Sequence, residues 1–83
     1  MWHAATDLLV TDLGDELVLM HPAHSQMFSL NASGRLIWQA LPASAEALAE
    51  QLQAAYGLDP AQAQQDVQVV LQELEVRQLA SRT

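Results

Sequence analysis

The residues best equipped for chemistry cluster between positions 21 and 33. His21 and His24 stand in H-x-x-H spacing, Ser25, Ser29 and Ser33 carry hydroxyls, and Asp66 sets a carboxylate beside a later apolar run. Two histidines can share a metal when a helix holds them on one face, but these two flank a proline turn and no third ligand stands near. None of the three serines has an evident base. Asp66 reads more simply as a hydrogen-bonding group at a groove edge than as an acid or base. The sequence therefore predicts a non-enzyme, with no catalytic residue, no metal and no cofactor.

Composition narrows the classes further. Eighty-three residues make one domain, 1–83, which buries only roughly 60–65% of its unfolded surface. Half the residues are apolar, enough for a core. Cysteine is absent, which removes disulfides and thiolate sites. No apolar run reaches the ~20 residues of a membrane span, and the N-terminus lacks signal-peptide order, so the expected location is cytoplasmic. The net charge is −7, with Arg35, Arg77 and Arg82 as the cations and no lysine. Three scattered arginines do not make a phosphate-binding surface, so nucleic acid is not the expected partner. The charge favours neutral or basic partners at long range.

The elements that must position these residues follow from periodicity. Leu8-Leu9-Val10-Thr11 and Glu16-Leu17-Val18-Leu19-Met20 read as strands joined by the turn Asp12-Leu13-Gly14-Asp15. His21 to Ser25 is a second turn, and Gln26 to Leu30 alternates as a third strand. Asn31 then caps a helix at once, with Leu36, Ile37, Ala40 and Leu41 on one face and Pro42 ending it. Ser44 caps a second helix, striped by Leu48, Leu52 and Ala55-Tyr56 and closed by Gly57. Asp59-Pro60 starts a third, running to about Gln78. Its stripe is Ala63, Val67, Val70, Leu71 and Leu74, widened by Val69, Val76 and Leu79. Met1 to Thr6 carries no periodicity, although Trp2 is expected to pack on the core. The fold class is α+β: a three-stranded antiparallel meander followed by three helices, the last two like a helix-turn-helix.

A meander leaves open edges, and Gln26 to Leu30 carries no lysine, proline or inward charge to protect one. Phe28 and Leu30 share the face the helices cover, while Met27 and Ser29 point away. A third helix lying along this strand would make a groove lined by Met27, Phe28, Val67, Val70, Leu71 and Leu74, and an extended peptide could add there as a fourth strand. The residues equally allow the edge to pair with a second copy, or to be covered by the Met1–Thr6 arm.

Glu16-Leu17-Val18-Leu19-Met20-His21-Pro22, then Met27-Phe28-Ser29-Leu30-Asn31-Ala32-Ser33-Gly34 and Ile37-Trp38, resemble the PqqD-like peptide chaperones. Tyr56-Gly57-Leu58-Asp59-Pro60 and Asp66-Val67-x-x-x-Leu71-x-x-Leu74 are similar to that family's closing helices, so the likeness runs from about Leu8 to Leu79. Two positions depart from it: Met27 replaces a more usual aromatic, and Arg77-Gln78-Leu79 stands where a glycine often precedes the last apolar residues. The resemblance implies a winged-helix-like RiPP recognition element, which binds the leader of a ribosomally made precursor peptide and presents it to a separate modifying enzyme. It implies peptide contacts at Gln26, Met27, Phe28, Ser29 and Leu30 on the strand, and at Asp66, Val67, Val70, Leu71 and Leu74 on the helix. Quinone-cofactor, lasso-peptide and other radical-enzyme pathways all stay open. The alternatives are a winged helix that binds DNA, disfavoured by Glu73 and Glu75 on the candidate recognition helix, and a structural homodimer through the same strand edge.

Overall fold

A computed structural model describes every residue except His24. Among the described residues, five strands and three helices follow in the order β1 (Trp2–Ala4), β2 (Leu9–Asp12), β3 (Leu17–His21), β4 (Gln26–Leu30), α1 (Ala32–Ala40), α2 (Ala45–Tyr56), α3 (Pro60–Val76) and β5 (Ala80–Arg82). The central sheet is the expected antiparallel meander, β2-β3-β4, and the three expected helices follow it. The H-x-x-H pair falls partly outside the described residues, because it needs His24.

The chain ends depart from expectation. Met1–Thr6 does not lie as an arm over β4: its β1 pairs antiparallel with β5, Trp2 opposite Arg82. On its other side Trp2 exchanges two backbone hydrogen bonds with Ala43, 2.8 and 3.1 Å long, in the link between α1 and α2. Strands of three residues are too short to show an alternation in sequence. Trp2 is buried, as expected, with Arg82 stacked 5.4 Å from its ring.

Helices α1 and α2 begin with side-chain caps, whereas α3 starts at Pro60 with no cap hydrogen bond from the Asp59 side chain. Asn31 Oδ1 accepts from the Gly34 amide at 2.9 Å, and Ser44 Oγ from the Ala47 amide at 3.1 Å. Gly57 ends α2 in the left-handed region, its N–H donating to Gln53 C=O at 2.8 Å. The end of α3 comes two residues before the expected Gln78. Gln78 itself takes φ +61°, and Leu79 N–H reaches back to Leu74 C=O at 2.8 Å, a Schellman-type stop.

The core joins one face of the sheet to all three helices through Leu17, Leu19, Leu30, Ile37, Leu48, Leu52, Val67, Leu71, Leu74 and Leu79. Ala55 and Tyr56, expected on the buried stripe of α2, are exposed; Ala49 takes their place, because α2 meets α3 one position round from the assumed face. Leu36, Ala40 and Leu41 are only partly buried around Ile37.

Candidate functional site

The site begins with a hydrogen-bond alternation. In an antiparallel pair, directly opposed residues alternate between exchanging backbone bonds and turning those groups away. Leu13 N–H donates to Glu16 C=O at 2.9 Å, so the bonded pairs step by two to Thr11–Val18 and Leu9–Met20. The even positions of β3 therefore serve β2, and Leu17, Leu19 and His21 serve β4, opposite Leu30, Phe28 and Gln26. The N–H and C=O groups of Met27 and Ser29 face the opposite way, along the open edge of the sheet. No strand among the described residues pairs there.

Side chains alternate with the same period. Phe28 and Leu30 turn inward, partly and fully buried, whereas Met27 is 70% exposed on the outer face with Ser29. Gly34, in the first turn of α1, is pressed against Leu30. A Cβ there would lie 3.0–3.1 Å from Leu30 Cδ2 and Cβ, so the helix sits this close to the strand only because the residue is glycine.

Helix α3 packs chiefly on α2 and β5, and its backbone barely approaches β4. A hollow of about 250 Å³ fills the gap, lined by Phe28, Ser29, Leu30, Asn31, Gly34, Val69, Val70 and Glu73. The groove thus exists, but its helix wall is not the expected one. Val67, Leu71 and Leu74 are 1%, 1% and 0% exposed, turned down into the core, and Val69, 56% exposed, stands in the wall beside Val70. Burial of the main α3 stripe against α2 leaves only the flank of that stripe for the groove. Met27 lies outside it too, on the other face of the strand. Asp66 sits past the groove's Asn31 end, in a separate hollow with Asn31, Ala32, Ser33, Tyr56 and Leu58, and accepts from Gln62 Nε2 at 2.9 Å.

At the other end, Arg77 reaches from the C-cap of α3 to Phe28, its guanidinium carbon 4.4 Å from the ring centre. Arg77 Nε donates to Glu73 Oε2 at 3.2 Å. This cation–π contact unites two residues 49 positions apart in sequence and could not be read from spacing.

Larger hollows lie elsewhere, among them the Asp66 hollow, about 360 Å³, and two on the helical side. One, about 390 Å³, opens between α2 and α3 among Ala45, Glu46, Ala61 and four residues from Gln64 to Gln68. The other, about 470 Å³, lies over α1 and α2 around Arg35, Gln39 and Tyr56. Neither includes a free strand edge, so neither offers a row of unpaired backbone groups. Size is the weaker guide here.

The hairpin that carries β3 and β4's partner edge is tied down by Asp12. Its carboxylate accepts from Arg35 Nε at 2.8 Å and Nη2 at 2.9 Å, from Gln39 Nε2 at 3.1 Å and from the Gly14 amide at 2.9 Å. Hydrogen bonding to Arg35, then to Gly14, lowers the Asp12 pKa to about 2. Among the described residues, no group of three or more His, Asp or Glu side chains is placed to hold a metal ion, and no helix is long and apolar enough to cross a membrane.

Two solved structures share this fold over almost all of both chains. One is described as TbiB1 in complex with the TbiA(beta) leader peptide, with TM-score 0.89, 24% identity and coverage of 98% of this chain and 96% of that one. The other is described as lasso peptide synthetase B1 complexed with the leader peptide, with TM-score 0.85, 20% identity and coverage of 98% of each chain. Among curated proteins, none is significantly similar in sequence. The family model described as coenzyme PQQ synthesis protein D matches residues 16–80, from the start of β3 to the start of β5 and so through both walls of the groove, and the chain belongs to the PqqD family.

Proposed function

We propose that this protein binds the leader segment of a ribosomally made precursor peptide as an added strand beside β4 and against α3, and presents it to a separate modifying enzyme. The observation that carries this reading is the outward-facing backbone of Met27 and Ser29 running beside the Val69–Val70 wall. Backbone bonds supply affinity there, and alternate side chains entering the hollow supply selectivity. Both structures of the same fold are complexes with leader peptides, which supports the reading. The expected setting is the cytoplasm, where ribosomes release such precursors.

The energetics suit a reversible escort. Four edge hydrogen bonds at ~1 kcal/mol net each, with two buried anchors at ~1.5–3 kcal/mol, give roughly 7–10 kcal/mol gross. Ordering a flexible segment removes a few kcal/mol, leaving about micromolar affinity or weaker.

Mutation separates backbone addition from surface adhesion. Ser29→Pro removes an outward N–H while leaving every bond to β3 in place, and Val69→Asp puts a charge into the wall without touching the core. Isothermal titration with a binding leader should show about tenfold or greater loss for each, with the thermal melt little changed. Full affinity in a folded Ser29→Pro variant contradicts strand addition. DNA is a poorer fit: α3 presents Asp66, Glu73 and Glu75 against one arginine that Glu73 already holds.

A further inference from the structure

The groove has a charged end as well as an apolar middle. Among the described residues the three cations are differently employed. Arg35 is held by both oxygens of Asp12, and Arg82 lies over Trp2 on the far sheet. Arg77 stands over Phe28, with Nε bonded to Glu73 and no hydrogen bond from either terminal amino group. This half-exposed guanidinium, with donors left over, therefore stands beside the Phe28 end of the hollow.

Given the peptide addition proposed above, on which this inference rests, we propose that Arg77 is a specificity-determining residue that recognises an aspartate or glutamate in the added strand. The pleat sets the position. Peptide side chains that enter the groove lie opposite Phe28 and Leu30, two residues apart along the strand, roughly 7 Å. The one opposite Leu30 meets the apolar hollow between Gly34, Val69 and Val70. The one opposite Phe28 meets Arg77. The recognised pattern is an apolar anchor with an acidic residue two positions away.

Electrostatics makes this contact selective. The chain carries −7, so an acidic peptide is repelled at a distance and gains only where its carboxylate reaches Arg77. Glu73 keeps Nε occupied and fixes the fork's orientation, leaving the terminal amino groups for a second carboxylate. The preferred ligand is neutral or basic overall, with one acid in register.

A display library of random decapeptides, selected in parallel on the wild-type protein and on Arg77→Gln, tests this. Wild-type selections should enrich Asp or Glu two residues from an apolar anchor, and Arg77→Gln selections should not. In a selected peptide, acid-to-amide replacement should weaken wild-type binding roughly three- to tenfold and leave Arg77→Gln binding unchanged, as expected for one half-exposed charge pair. Arg77→Glu should then prefer lysine at the same position. Selected peptides that need Ser29 but show no acidic preference overturn the role of Arg77 and leave strand addition standing. Peptides enriched instead in an aromatic residue stacked on Arg77 overturn it as well. Peptides that bind Ser29→Pro as well as wild type, or no selected peptides at all, overturn the groove reading and this inference together.

Discussion

Gln78 shows what one residue can reveal about a chain end. It follows the C-cap of α3 in the left-handed region, φ +61°, where an L side chain costs roughly 1 kcal/mol and glycine nothing. In sequence, Gln78 stands near where the resembling family often has glycine, and the structure supplies the physical reason: the backbone needs that conformation to turn Leu79 back under Leu74. Gln78→Gly should therefore raise stability by about 0.5–1 kcal/mol in urea unfolding, although glycine usually destabilises a chain. A loss of stability would mean that the Gln78 side chain makes a compensating interaction. Other single residues were legible for similar local reasons. Asn31, Ser44, Gly57 and Pro60 announce helix ends because capping depends on chemistry within four residues. Arg77 over Phe28 was not legible, because the contact depends on how α3 lies against the sheet.

At the scale of elements, the three sheet strands and three helices follow from period and caps, whereas β1 and β5 do not. Three-residue strands hold no measurable alternation, and each exists only because the other is brought beside it. The groove's helix wall was only partly legible for a related reason. Helical periodicity shows a broad apolar stripe on α3 but cannot say which part meets α2 and which part stays open. Val67, Leu71 and Leu74 went to the core, and Val69 and Val70 were left to the groove. The tie between hairpin and α1 belongs to this scale as well. Asp12 is ionised in the folded chain down to about pH 2, whereas an unfolded aspartate protonates near pH 4. A lowered folded pKa means stability that is present above about pH 4 and lost as pH falls toward 2. Wild type should melt higher than Asp12→Asn at neutral pH, with the gap closing between about pH 4 and pH 2. A gap unchanged across that window would mean that the Arg35 and Gln39 contacts do not hold Asp12 in solution.

For the whole molecule, the chain builds a three-stranded sheet whose inner face joins the core and whose last strand, β4, pairs with β3 on one side and, among the described residues, with no strand on the other. Pairing of β1 with β5 keeps the N-terminal segment off β4, so among the described residues no strand covers the β4 edge from within. The measurement that tests this account most directly is an amide NMR titration of the intact protein with a leader peptide. Strand addition predicts saturating shifts at Gln26–Leu30 and along Val69–Arg77, with the Met27 and Ser29 amides newly protected from exchange. Saturating shifts confined to the α1–α2 face or to β2, with Met27 and Ser29 still exchanging freely, would contradict it.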